Sequence, residues 1–242
     1  MSEKYIKFFE GFSLAYGVAD MSTLKVDPES GKQKPDYRWN DQPLTKEVYL
    51  NHLAGTQSIG VQPCNENSEA RFGVIDVDPK NYDDFDKKFF IDIIQSFKLP
   101  LIPVLSKSGG LHLYLFMNEF VPAVLIRSFI SNLLPLFKLK PDCEIFPKQT
   151  QLTKDNETGQ LNKGNFINLP YFKKSERLAI NLDGTPFTFD EFISVVESNT
   201  VNAEDLKNLT QSIEEKDLEG VDPEFDDGPP CLAHISKIMK NP

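Results

Sequence analysis

Phe72-Gly73-Val74-Ile75-Asp76-Val77-Asp78-Pro79 is the stretch from which the fold of this chain can be read. It is an apolar β-strand that ends in two carboxylates one residue apart. Strand side chains alternate with a period of two, so Asp76 and Asp78 share a face, roughly 7 Å apart at two rises of about 3.3 Å. Ile75 and Val77 point into a core. Two acids on one rigid face at a strand end suit hard divalent cations, as metal-assisted phosphoryl transfer requires. Taken alone, the same residues also read as a strand entering a polar turn, since Asp-Pro opens turns. The apolar flank favours the first reading, because carboxylates beside a core need partners.

Working outward, the chain alternates short helices and short strands. Tyr5–Glu10 reads as a helix, and the polar stretch 22–44 as a loop or hairpin. Thr45 is positioned to cap a helix that ends near Gly55. Ser58–Gln62 is a short strand and Cys64–Ala70 a turn-rich loop. Asp83 or Asp84 is expected to cap a helix to about Phe97, with apolar residues at helical spacing. Leu101–Leu105 and Leu111–Phe116 form a hairpin across the turn Ser106–Gly110. Pro122 opens a helix to about Phe137. Glu144–Phe146 and Asn165–Leu169 are further strands, and Phe187–Val196 a helix. Three sections are expected: a catalytic domain over 1–200, an acidic linker over 201–227, and the start of a truncated C-terminal region over 228–242.

Composition narrows the function classes. The 242 residues are 40% hydrophobic and 26% charged, which is ordinary for a globular chain, and 19 Phe can fill a sizeable core. No apolar run approaches the ~20 residues that span a bilayer. The N-terminus lacks the basic and apolar regions of a secretory signal. Cys64, Cys143 and Cys231 fit neither a disulfide framework nor a zinc knuckle, so a reducing cytoplasm is the expected location, with no membrane partner. The net charge is −10. Ten acids and four lysines from Val201 onward put −6 in the tail and −4 on residues 1–200. That balance implies a weak nonspecific grip on nucleic acid, without excluding a local basic groove.

Three groups can carry chemistry. The first is the Asp76/Asp78 pair. The second is Ser106-Lys107-Ser108-Gly109-Gly110-Leu111-His112. Its two glycines let backbone N–H groups approach a ligand, and such nests bind anions; the hydroxyls and Lys107 add donors and charge. A Ser/Gly hairpin followed by a packed His is the plainer alternative. With the aspartates upstream, a triphosphate cradle is favoured. The third is Glu144-Ile145-Phe146-Pro147-Lys148-Gln149, where Glu144 in an apolar strand is either a third carboxylate ligand or an edge residue facing water. Lys148 shares its parity, although Pro147 disturbs the alternation. Asn165, in Gly164-Asn165-Phe166-Ile167-Asn168-Leu169-Pro170, can contact a sugar or base, or simply end a core strand. His52 reads as a structural residue at a helix end. Tyr37 and Trp39 can stack on bases or pin their loop.

In order and spacing these motifs resemble the archaeo-eukaryotic primase superfamily, the primase-polymerases. That family carries an Asp-x-Asp/Glu motif, a Ser-x-His motif in a Ser/Gly-rich hairpin, and a hydrophobic-Asp/Glu motif. They match Asp76 and Asp78, Ser108 to His112, and Glu144. The details His52-Leu53-Ala54-Gly55, Phe146-Pro147-Lys148-Gln149 and Gly164 to Pro170 are similar to the branch found in phage replication proteins and mobile-element conflict systems. The similarity spans about residues 5–175. One departure is Phe9-Glu10-Gly11-Phe12, which lacks the basic residue that relatives carry there.

The resemblance implies an α+β, archaeo-eukaryotic primase-like core: an RRM-like palm bearing the three motifs, and an N-terminal α/β subregion that closes the cleft. It implies template-directed nucleotidyl transfer, a DNA primase-polymerase activity that makes or extends a primer. Asp76, Asp78 and Glu144 would bind two Mg²⁺ or Mn²⁺ ions. Ser106, Lys107, Ser108, Gly109, His112, Lys148 and Asn165 would bind the dNTP or NTP, with His112 also serving catalysis. Single-stranded DNA template and primer would be partners, along with a C-terminal helicase or priming module missing from this chain. Two other readings use the same residues: a metal-dependent nuclease or replication-initiator nickase, and a non-catalytic nucleic-acid-binding module on an RRM-like sheet. The absence of a His-x-His pair disfavours the nickase, and three clustered acids disfavour a pure binder.

Overall fold

Strand β4 (Glu69–Val77) is the centre from which the fold is built. Phe72, Val74, Ile75 and Val77 are all fully buried, so both faces of this strand are covered. The computed structural model describes residues 1–26, 33–156, 158–173 and 175–219. Before β4 come α1 (Ser2–Phe8), β1 (Tyr16–Val26), β2 (Gln33–Asn40), α2 (Lys46–Ala54) and β3 (Ile59–Val61). After it come α3 (Lys87–Ser96), β5 (Leu101–Leu105), β6 (Leu111–Pro122), α4 (Ala123–Leu133), β7 (Glu144–Phe146), β8 (Ile167–Asn168), α5 (Phe189–Asn199) and α6 (Ala203–Glu219).

The run β4-α3-β5-β6-α4-β7 folds into an antiparallel sheet of order β5-β6-β4-β7. That is the split β-α-β-β-α-β arrangement, the RRM-like palm expected from the sequence. Helix α4 lies close on one face. A Cβ added at Gly73 would stand 2.4 Å from Ile126 Cγ2 and 2.5 Å from Ile130 Cδ1, so glycine here lets the helix press on the strand. The second sheet, of order β2-β1-β3-β8, is the N-terminal α/β subregion. It borrows its last strand from beyond the palm, which ties the two parts of the chain together.

The opposite face of the palm buries Phe72, Val74, Tyr114, Phe116 and Phe146 in one cluster with Val18, Ile59 and Val61 of the other sheet and Tyr5 and Phe9 of the N-terminal segment. Phe9 meets Phe72, Tyr114 and Phe116 edge-on, with centroids 5.3–5.7 Å apart. Such pairs add roughly 0.5–1.5 kcal/mol each beyond area burial. His52 fixes the end of α2 as expected. Its Nδ1 accepts from the Ile59 N–H at 3.1 Å, which leaves Nε2–H to donate to the Pro170 carbonyl at 2.8 Å. Gly55 closes that helix in the left-handed conformation.

Several expectations need correction. Asp86, not Asp83 or Asp84, caps α3, its Oδ1 accepting from the Lys88 N–H at 2.9 Å. Thr45 occupies the cap position of α2 without a side-chain bond. Strand β6 runs on to Pro122, and α4 stops at Leu133. The segment expected as a linker carries α6. Its start is capped by Asn202, whose Oδ1 accepts from Glu204 and Asp205 N–H at 2.8 and 2.9 Å. The chain divides into units 1–206 and 207–242. The expected C-terminal region, 228–242, lies outside the described residues. Among the described residues no helix is long and apolar enough to cross a membrane.

Candidate active site

The register of the palm sets Asp76 directly between two other candidates. Its Cα partner on β6 is His112 and its partner on β7 is Glu144. Directly opposed residues in a sheet share a face and keep their Cβ atoms about 4.5–5.5 Å apart. The face that buries Phe72 and Val74 therefore emerges from the core as Asp76, His112 and Glu144. His112 Nε2 lies 3.3 Å from Asp76 Oδ1, with side-chain exposures of 9% and 23%. Glu144 is the most open of the three and pairs with Lys148, whose ammonium also lies over the Phe146 ring at 5.4 Å. The shared parity of Glu144 and Lys148 read from the sequence thus holds across Pro147.

The glycine turn sits beside this row. Ser106 closes it: its N–H donates to the Gly110 carbonyl at 3.0 Å, its carbonyl accepts from Gly109, and its Oγ takes the Gly110 N–H at 3.0 Å. Ser106 and Ser108 hydroxyls lie 2.9 Å apart. Gly109 has φ +90°, which favours glycine. At Gly110 the reason is space, since a Cβ would lie 2.1 Å from the Val77 carbonyl oxygen and 2.6 Å from Pro79 Cδ. The turn is thereby pressed against the end of β4. Lys107, Ser108 and Gly109 are exposed. Among the described residues nothing accepts from the backbone N–H of Lys107 or Ser108. Two free donors and an ammonium at one exposed turn form an anion-binding concavity.

Asp78 plays the turn-opening part as well. It lies just past β4 and caps the 3₁₀ turn Pro79–Asn81, its Oδ1 accepting from the Lys80 N–H at 3.2 Å. Among the described residues no group of three or more His, Cys, Asp or Glu side chains is gathered closely enough to hold a metal. Each carboxylate has a neighbour of its own: Asp76 lies beside His112 Nε2, Asp78 accepts from the Lys80 N–H and Glu144 pairs with Lys148. The donor set itself fits a hard divalent cation, being all carboxylate oxygen from adjoining strand ends.

The sequence reading missed one residue. Residues 178–180 pair antiparallel with β5, with Ala179 opposite Val104, Leu105 N–H donating to the Leu178 carbonyl and Ile180 N–H to the Pro103 carbonyl, both at 2.9 Å. Arg177 lies just before this paired stretch, its carbonyl accepting from the Tyr171 N–H at 2.9 Å. Arg177 is only 9% exposed, and its guanidinium donates to a neutral hydroxyl, Ser58 Oγ at 2.7 Å. Burial pulls its pKa below the usual guanidinium value. A buried cation without a carboxylate partner is costly. No local motif marks Arg177.

Two other residues complete the surroundings. Cys143 donates to the Asp76 carbonyl at 3.5 Å, and burial pushes its thiol up to about 11, so it is an inert packing group. Asn165 is bound to Gln149 rather than to the carboxylates: its Oδ1 accepts from Gln149 Nε2 at 2.9 Å, and its N–H donates to Gln149 Oε1 at 3.1 Å.

A family model described as the archaeo-eukaryotic primase domain of the TOTE conflict system matches residues 19–217. No curated protein matches the chain.

Proposed function

We propose that this chain, which belongs to the archaeo-eukaryotic primase domain family of TOTE conflict systems, is a template-directed nucleotidyltransferase that makes or extends a DNA primer from nucleoside triphosphates. The observation that carries the reading is the register of Asp76 between His112 and Glu144, with the glycine turn pressed against the end of the same strand.

In this reading a primer 3′-hydroxyl attacks the α-phosphorus of the incoming nucleotide and pyrophosphate leaves. Asp76, Asp78 and Glu144 would hold two Mg²⁺ or Mn²⁺ ions, which supply Lewis acidity toward the attacking and leaving oxygens. The chain's own residues bind and orient. The free N–H groups of Lys107 and Ser108, the Lys107 ammonium and the Arg177 guanidinium receive the triphosphate and favour in-line approach. His112 presents Nε2 toward Asp76 at 3.3 Å, where the ring could donate a hydrogen bond to a phosphate oxygen. Lys148 neutralises Glu144 until a stronger cation takes its place. Single-stranded DNA would be the template.

The test is primer synthesis and extension on single-stranded DNA, with dNTP against NTP and Mg²⁺ against Mn²⁺. Asp76→Asn with Asp78→Asn should abolish incorporation while thermal unfolding moves little, since asparagine keeps the turn at position 78. Normal extension by that variant defeats the proposal. Labelled DNA without nucleotides separates extension from cutting: cleavage that needs no dNTP would favour the nuclease reading. A chain that takes up neither Mn²⁺ nor dNTP in calorimetry would be a pure binder.

A further inference from the structure

Arg71 lies on β4 five residues before Asp76, roughly 17 Å away at about 3.3 Å per residue. The β4–β6 register is interrupted there. Ala70 pairs with Val121 and Phe72 with Phe116, so Arg71 alone stands opposite Met117–Phe120. Such bulges re-aim side chains and recur next to functional sites. The displaced Phe120 ring covers the guanidinium, with Cζ 4.6 Å from its centroid. The Arg71 side chain is 12% exposed and reaches Glu10 through Nη1 alone, at 3.1 Å. Its Nε is buried and has no partner. A guanidinium offers donors in a fixed fork that matches a carboxylate or phosphate two bonds at a time. Glu10 engages a single nitrogen of it.

Arg71 also lines a pocket of about 190 Å³, together with Lys7 and Asn118. Lys7 is exposed and has no partner among the described residues. Glu197 lines the pocket too, but its carboxylate is held by Lys4 at 2.6 Å. The volume is below the ~300 Å³ at which cofactor-sized sites begin. It suits one tetrahedral oxyanion rather than a nucleotide.

We propose that the Arg71–Lys7–Asn118 pocket is a second anion site, remote from the strand-end carboxylates, that takes a single phosphate group. The group comes either free or from the backbone of a nucleic-acid strand. The proposal is independent of the nucleotidyl-transfer reading.

The test is calorimetry on the full chain with inorganic phosphate in one arm and a single-stranded oligonucleotide in the other, using two rim variants with unchanged melting. Lys7→Gln should weaken binding about tenfold, the effect of one charge-assisted hydrogen bond. Glu10→Gln should tighten it, because the competing carboxylate is gone. Opposed shifts with inorganic phosphate identify a free anion, and opposed shifts with the oligonucleotide alone identify a strand phosphate. If neither variant changes either isotherm, the site is refuted, whether or not the chain extends primers.

Discussion

Gly110→Ala tests the placement of the glycine turn most directly. The new Cβ would lie 2.1 Å from the Val77 carbonyl oxygen and 2.6 Å from Pro79 Cδ, where real Cβ atoms stay beyond 3.0 Å. The obstacles are backbone and a proline ring, so the turn itself must retreat, by about 1 Å to restore contact distance. Overpacking of this kind costs about 1–3 kcal/mol of folding stability. The functional cost is separate: a displacement of about 1 Å in a positioning element lowers turnover roughly 100-fold, or about 2.7 kcal/mol. Primer extension under nucleotide saturation and limitation reads the second quantity, and thermal melting the first. Gly109→Ala is the control. Nothing lies within 4 Å of its Cβ, but φ is +90°, so it pays about 1–2 kcal/mol of backbone strain without pushing on β4. A Gly110→Ala protein that melts a few degrees lower yet extends primers at the parent rate would refute the reasoning. So would equal losses from both variants.

Three further outcomes follow from the same contacts. Burial holds the folded pKa of His52 near 4, below its ordinary 6.5. The unfolded chain therefore takes the proton first, so the stabilising contribution is complete above pH 6.5 and is lost as pH falls toward 4. Urea unfolding at pH 7.5 and 5.0 should differ by about 2 kcal/mol from this group, and a His52→Gln protein with the same difference would contradict it. Arg177→Met should raise the apparent KM for nucleotide at least tenfold with little change in template affinity; equal losses of both would sink its assignment to the triphosphate. Burial also raises the thiols of Cys64 and Cys143 to about 11, so mass spectrometry of the native protein after mild alkylation at pH 8 should show both unmodified, and rapid labelling of Cys143 would mean that β7 opens.

The palm was legible because its signals are local. Period-two apolar runs, a glycine turn of fixed length and two amphipathic helices specify β4 through α4, and the acids fall at strand ends by counting. Lys148 contacts Glu144 beyond Pro147, where the alternation alone is no guide. What stayed hidden depends on pairing between distant segments. Residues 178–180 add to the edge of β5 just after the buried Arg177, and those few residues carry no strand period of their own. Asp83, Asp84 and Asp86 are equally good caps by composition, and the tertiary path of the chain chose Asp86. Helix α6 was obscured by its acids, although Leu206, Leu209 and Ile213 recur at helical spacing within it. Asp78 is committed to its own turn, as the turn-opening reading of Asp-Pro expects.

Glu144 differs from its neighbours in how firmly it is held. Asp76 belongs to the innermost ribbon, bonded on both flanks, whereas Glu144 opens a three-residue outer ribbon with the stretch 147–166 trailing behind it. Outer ribbons this short exchange their amide protons through small local openings. The third carboxylate is therefore the adjustable member of the trio. Sequence changes in the trailing stretch can tune how often it is present without disturbing the pair on which the rest is built.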